Sequence, residues 1–403
     1  MVNKMISLFK PKKFKDFNPK GLKIYTFNAG FKKKDKDLLL IIFDKIVNVC
    51  CVYSKTSMPS APIIWDKKNN KGKAKALVVN AGNANAHTGN DGLKIIDKYV
   101  KALTKKIKCK PNEVLVSSTG VIGEKFDPNL IINKFDKMNS KIKNSLLDGA
   151  KSIMTTDTFP KISIKNINLD NQSFKIYGIA KGSGMIQPNM GTMLVYIFIE
   201  CLVSKKIINT LLKNNLDDTF NSITVDSDTS TSDTLMMFSV SNKYVKLNKN
   251  NFKILNKKIY ELMSDLSLQV IKDGEGVSKL IRVNVLNAKT KNQAKKIGFS
   301  IANSPLVKTA IAGEDANWGR IIMAIGKTQE KINQNKIKVL FGNNIVCKNG
   351  SMSNNINISK LNQYMKNSTI DINVNLNMGK FAHTIYGNDL TFEYLKINAD
   401  YRS

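Results

Sequence analysis

Apolar and polar positions along the chain fall into blocks of two kinds. Runs dense in β-branched and aromatic residues, at 75–79, 114–116, 174–180 and 194–203, read as strands buried on both faces. A further apolar run over 38–52, broken by Asp44, Lys45 and Asn48, reads as one strand followed by another. Elsewhere the period changes. Leu93, Ile96, Tyr99, Val100, Leu103 and Ile107 recur at helical spacing, and so do Leu255, Ile259, Leu262, Met263, Leu266 and Val270. Asp127 predicts the cap of another helix, with Pro128 at its first position and Leu130, Ile131, Phe135, Met138 and Ile142 turned inward. Further helices are expected after Glu200, over 293–301 and in a short piece that ends near Ser152. Strand, small-residue loop and helix alternate, which predicts an α/β fold with its sites at the strand ends.

The loops are as informative as the elements. Asn80-Ala81-Gly82-Asn83-Ala84-Asn85 follows one predicted strand and Ser117-Ser118-Thr119-Gly120 another. Small residues there let a backbone approach a ligand closely. Lys181-Gly182-Ser183-Gly184-Met185-Ile186-Gln187-Pro188-Asn189-Met190-Gly191-Thr192 runs straight into the apolar run that begins at Met193. Thr192 therefore stands at the mouth of a buried strand. Asn- and Ser-rich stretches at 329–337 and 348–360 are the best loop candidates, and no internal repeat stands out.

Composition narrows the class. No apolar run reaches the roughly 18–20 residues of a membrane-spanning helix, since Glu200 interrupts the longest, so a soluble protein without membrane attachment is expected. Net charge is +32, which invites a nucleic-acid reading. Yet all but three of the 63 basic residues are lysines, the arginines being Arg282, Arg320 and Arg402. Arginine is the side chain that reads phosphates and guanine edges bidentately, so its scarcity favours a coding bias over a nucleic-acid interface. Five cysteines without any Cys-x-x-Cys spacing suggest reduced thiols rather than a zinc or redox site. The first twenty residues lack a long apolar core, which points away from a secretory signal and towards a cytoplasmic protein.

Several familiar constellations fail. Asp226-x-Asp228-x-Ser230 begins like a calcium loop, but Thr231 stands where the glycine belongs and Met237 where the bidentate glutamate belongs. A hydrogen-bonded polar turn is the better reading. His87 and His383 are the two histidines, and neither lies in a nucleophile signature, so each is expected to be a satisfied loop residue. Phosphate-binding glycine motifs are missing too. With histidine scarce, a hydroxyl nucleophile needs another base, and the α-amine of an N-terminal residue supplies one. That amine titrates near 8, well below a lysine. Thr192 is a candidate for such a residue, if the Gly191–Thr192 bond is cut. Lys181, close in sequence, would help to keep the amine unprotonated.

These segments together resemble a known family. Asn80–Asn85, Ser118-Thr119-Gly120-Val121-Ile122-Gly123, Met154-Thr155-Thr156-Asp157-Thr158, the stretch 181–190, Thr224-Val225-Asp226-x-Asp228-Thr229-Ser230-Thr231, Asp273-Gly274-Glu275-Gly276, Gly313-Glu314-Asp315-Ala316-Asn317-Trp318-Gly319-Arg320 and Ile397-Asn398-Ala399-Asp400-Tyr401 are similar to the ornithine acetyltransferase (glutamate N-acetyltransferase) family of arginine biosynthesis, in the same order over nearly the whole chain.

The resemblance implies a layered α/β/β/α sandwich with mixed sheets and a smaller C-terminal α/β lobe, about 283–403. It implies self-cleavage between Gly191 and Thr192, into an α chain of 1–191 and a β chain of 192–403 that stay together, as two of each or a larger assembly. Thr192 would accept the acetyl group of N2-acetylornithine and pass it to glutamate in a ping-pong reaction. Thr119 and Gly120 would form the oxyanion hole; Thr155 or Thr156, Lys181, Thr192, Glu275, Asn398 and Ser403 would bind substrate. No cofactor or metal is implied. Acetyl-CoA as a second acetyl donor is left open.

Three departures stand out. Gly191 replaces the usual alanine, which should ease the strained conformation needed for an acyl shift, and Ser227 and Ser232 replace a glycine and an asparagine. Two competitors are an N-terminal-nucleophile aminopeptidase or amidase, in which water takes the acyl group, and a basic nucleic-acid-binding protein.

Overall fold

The computed structural model describes residues 6–139, 144–187 and 193–399. Two mixed sheets organise it. In the first, β1 (Leu22–Phe27) pairs with the first part of β2 (Leu38–Tyr53), and α1 (Ala61–Asn69), β3 (Lys73–Asn83), α2 (Gly89–Ile107), β4 (Val114–Val121), α3 (Asn129–Phe135) and α4 (Leu146–Ser152) follow. The hairpin of β5 (Lys161–Leu169) and β6 (Gln172–Lys181) comes next, then β7 (Leu194–Ile199), α5 (Lys205–Leu216), β8 (Thr234–Ser239) and α6 (Lys249–Lys272). The sheet runs β4-β3-β2-β8-β7-β6-β5, parallel at β3–β4 and β7–β8 and antiparallel elsewhere.

β2 makes this one sheet behave as two layers. Its first half pairs with β1 and β3, its second half with β8, and its register against β3 slips between Ile42 and Val47. Asp44, Lys45 and Ile46 occupy the slip and face solvent. The expected pair of strands is therefore one bent strand, because the charged interruption marks a bulge instead of a chain break. Folded at that point, the sheet closes on itself. Leu39, Ile41 and Phe43 meet Tyr177, Tyr196, Phe198 and Phe238 in a core between the two halves. The Phe43 and Phe238 rings lie 4.9 Å apart.

The other faces carry helices. Leu38, Leu40, Ala76 and Val78 pack beneath α2 and α3, while Ile176, Val195, Ile197 and Met237 pack against α5 and α6. α6 sends Leu255, Ile259, Leu262, Met263, Leu266 and Val270 inward, the set its 3.6-residue spacing predicts. Each such side chain, fully buried, is worth roughly 1.5–3 kcal/mol of transfer free energy. The order helix, sheet, sheet, helix is the expected sandwich. α3 is shorter than expected: Ile131 and Phe135 are buried, Leu130 and Met138 half-buried, and Ile142 lies outside the described residues.

The second sheet is built from β9 (Leu280–Ala288), α7 (Lys291–Ala302), α8 (Pro305–Ala312), α9 (Trp318–Gly326), β10 (Lys338–Phe341), β11 (Asn344–Lys348), β12 (Ser351–Met352), α10 (Ile358–Met365), β13 (Thr369–Asn375) and β14 (Phe381–Asn388). Its order is β12-β11-β10-β13-β9-β14. Ile281, Val283 and Val285 of β9 form a core of its own with Ala294, Ile297 and Ile301 of α7. α11 (Phe392–Ala399) then brings the chain back to the turn after α6, where Asn398 meets Glu275. Among the described residues no helix is long and apolar enough to cross a membrane.

Candidate active site

The strand ends of the first sheet converge on a cavity of about 390 Å³. Thr119 and Gly120, at the end of β4, line it, and so does Lys181 at the end of β6. Thr155 and Thr156 reach it from the turn after α4, Glu275 from the turn after α6 and Asn398 from α11. Seven of the expected site residues, from five separate segments, thus meet at one place. Gly191, Thr192 and Ser403 lie outside the described residues, but Met193, covalently next to Thr192, lines the same cavity.

Contacts within the cavity are specific. Lys181 is 8% exposed, and its Nζ donates to Thr119 Oγ1 at 3.0 Å. Burial lowers the Lys181 pKa, against the pull of Asp157. Gly120 has φ of +133°, and a Cβ there would sit 2.2 Å from the Gly82 carbonyl carbon, so only glycine fits where β3 and β4 press together. Asn398 Nδ2 donates to Glu275 Oε2 at 3.0 Å, tying α11 to the turn after α6. Thr156 Oγ1 and Ser183 Oγ are 2.7 Å apart, and the Thr155 N–H donates to Asp157 Oδ2 at 2.9 Å.

Beneath these groups lies a charge cluster that sequence reasoning did not assign. Lys161 Nζ is 2.6 Å from Asp157 Oδ1 and 2.5 Å from Asp273 Oδ2, with all three side chains buried. Asp157 also accepts from the Gly182 N–H at 2.6 Å, and Asp273 from the Thr158 N–H and hydroxyl. Burial alone would raise the Asp157 pKa, but Lys161 and Lys181 hold it far below the ordinary carboxylate value. Asp273 stays raised by its burial despite Lys161. The cluster binds the turn bearing Thr155 and Thr156 to the turn bearing Glu275. Asp157 and Asp273 sit inside motifs quoted above, whereas Lys161 had no signal at all.

Other expectations resolve as follows. Asp226 accepts from the N–H groups of Met185 and Ile186, both at 2.7 Å, which makes its loop the hydrogen-bonded turn expected in place of a calcium loop. No cluster of metal-ligating side chains occurs among the described residues. His383 lies in strand β14, not in a loop: its flanking residues complete the ladder to β9. Its Nε2 is 2.8 Å from Ser222 Oγ. That hydroxyl spends its proton on the Asp217 carbonyl at 2.6 Å, so His383 donates to the serine and does not activate it. His87 is an exposed loop residue, and the five cysteines are free thiols.

A model of the ArgJ family matches residues 23–403. The arginine biosynthesis bifunctional protein ArgJ of Bartonella henselae is 43% identical over 390 residues, covering 95% of each chain. The chain belongs to the ArgJ family. The Bartonella quintana protein of the same name is 40% identical over 408 residues and 99% of each chain. A crystal structure of ArgJ from Bacillus halodurans is 33% identical over 52% of this chain and 99% of that one, with a TM-score of 0.48. As an ArgJ-family member the protein is an enzyme, an acyltransferase of arginine biosynthesis, and of the motifs singled out in the sequence all but Gly313–Arg320 contribute a residue to the cavity lining.

Proposed function

We propose that this protein is a glutamate N-acetyltransferase that cuts itself between Gly191 and Thr192. The observation that carries the reading is the meeting of Thr119, Gly120, Thr155, Thr156, Lys181, Glu275 and Asn398 around a cavity that Met193 also lines. In the cut, the Thr192 hydroxyl attacks the Gly191 carbonyl, the acyl group moves to oxygen, and water frees the ester. The α-amine so released serves as base for the second reaction. Thr192 then takes the acetyl group from N2-acetylornithine, releases ornithine and delivers the acetyl to glutamate.

Charge placement supports these roles. Lys181 suits a substrate carboxylate and Glu275 an ammonium, while Thr155 or Thr156, Asn398 and Ser403 complete the binding set. Because Lys181 donates to Thr119 Oγ1, the Thr119 hydroxyl keeps its own proton for a developing oxyanion. The Gly120 N–H is the second donor. The reading extends to a cytoplasmic enzyme of two chains, 1–191 and 192–403, assembled as two of each or a larger assembly, without cofactor, nucleic acid or membrane as partner. Acetyl-CoA as a further acetyl donor is settled by assay with and without it.

The deciding experiment has two arms. The purified protein should run as two bands under denaturing conditions, and Thr192→Ala as one. Ornithine release from N-acetylornithine should depend on glutamate; release indifferent to glutamate would make the enzyme a hydrolase, and a single wild-type band would remove Thr192 as the nucleophile.

A further inference from the structure

Three of the segments that carry expected substrate-binding residues meet at one buried carboxylate, that of Asp157. Its Oδ2 accepts from the Thr155 N–H at 2.9 Å, and its Oδ1 from the Gly182 N–H and from Lys161 Nζ, both at 2.6 Å. Gly182 follows Lys181 directly, so the second of these bonds fixes the backbone from which Lys181 rises. Lys161 carries the link on to Asp273, two residues before Glu275. The charges close to Lys181 come from every side: Asp157 after α4, Lys161 in β5, Asp233 before β8, Glu275 after α6 and Lys32 in the β1–β2 loop. Lys32 spends its ammonium on the Met154 carbonyl at 2.6 Å, and Glu275 accepts from Asn398. Burial raises the Asp233 carboxyl well above its ordinary value, whereas Lys161 and Lys181 hold Asp157 far below it. Of the two aspartates, Asp157 therefore keeps its charge at neutral pH.

We propose that Asp157 is the positioning residue of the substrate-carboxylate site: it anchors the Lys181 backbone and holds the Lys181 ammonium charged, while Lys161 opposes it by like charge. The inference rests on Lys181 binding the substrate carboxylate. A lysine buried beside a hydroxyl, with Lys161 and Lys32 nearby, gives up its proton more easily than one in water. Once neutral, it offers a carboxylate an ordinary hydrogen bond in place of a charge-assisted one. Burial does lower the Lys181 pKa, and among the surrounding charges Asp157 counters this most. In this role Asp157 acts through Lys181. The two members of one buried ion pair thus act on Lys181 with opposite sign.

Those opposite signs give the test. KM and kcat for N-acetylornithine are measured from pH 7 to pH 10 at saturating glutamate, each variant against wild type so that the substrate's own ionisation cancels. KM should rise in the alkaline range as Lys181 loses its proton. In Asp157→Asn, which keeps the shape and loses the charge, that rise should begin about one pH unit lower or more, the scale on which a neighbouring opposite charge shifts a titration, with KM moved more than kcat. In Lys161→Met it should begin at higher pH. A merely structural role moves neither: both variants would lose melting temperature and activity together and keep the wild-type rise. Any result from the folded pair other than opposite shifts overturns the inference. Should Asp157→Asn fail to fold, Lys161→Met decides alone, and a rise that stays in place or begins at lower pH overturns it. Lys181→Met separates the two readings. It should raise KM at pH 7 about tenfold and abolish the alkaline rise. A wild-type KM in Lys181→Met removes the Lys181 reading and this one with it, whereas a weakened Lys181→Met beside an unshifted Asp157→Asn removes this one alone.

Discussion

Lys161 shows how much a single side chain can decide. Its ammonium sits between Asp157 and Asp273 with no exposure, and removing it as Lys161→Met strands two buried carboxylates. Breaking such a cluster costs roughly 3–5 kcal/mol, so thermal unfolding should begin about 10 °C lower. Gly184 makes the opposite case. A Cβ there would come 2.6 Å from the Glu275 carboxylate, the movable end of a side chain. Gly184→Ala should therefore leave the melting temperature nearly unchanged and raise KM for N-acetylornithine about tenfold, the equivalent of one charge-assisted hydrogen bond. Thr119, Lys181, Glu275 and Asn398 were legible in the sequence because each sits in a motif of several residues. Lys161 was not, for its partners are 4 and 112 positions away and only folding brings the second to it.

At the level of elements, turns hold the chemistry and strands hold the turns. The 182–187 segment is fastened from one side by Asp226, which accepts from Met185 and Ile186, and by Val225, whose N–H donates to the Ile186 carbonyl at 2.7 Å. From the other side Asn303, after α7, donates to Gln187 Oε1 at 2.5 Å and accepts from Thr224. Asp226→Ala leaves two amides without their acceptor. Splitting of the chain, followed as band intensity against time, should slow at least tenfold, since orientation is lost before the bond that must be strained. Periodicity made α2 and α6 readable in advance. It missed α11, which has no buried residue to impose a period, and it divided β2, whose exposed 44–46 segment mimics a loop.

Across the whole molecule, the two sheets are stitched by groups that no local pattern announces. Lys308 of α8 is buried and donates to the carbonyls of Val225 and Asn388, at 2.7 and 2.6 Å. Burial, opposed by Asp226 and Asp389, lowers its pKa from 10.5 to about 8. Between those values the unfolded chain holds the proton more tightly than the folded one. Stability therefore rises with pH across that window, and below pH 8 the cost of the buried ammonium is fully felt. Urea unfolding at pH 8 and pH 10 should show the wild type gaining about 2 kcal/mol relative to Lys308→Met.

The bent β2 has a last consequence, for assembly. β6 and β7 are neighbours from Ile176 opposite Ile199 to Lys181 opposite Leu194, and β2 is bonded to β8 along six residue pairs. A cut at 191–192 falls between β6 and β7, so both seams would join one product to the other. On the proposed self-cleavage, the uncut chain would act as a mould used once: it would set strand partners while they are still tethered, and the tether would then be expendable. Two halves made separately must find those seams by diffusion, with unpaired edges open to the wrong neighbour. Mixing refolded 1–191 and 192–403 should recover far less activity than refolding the single chain at the same concentration.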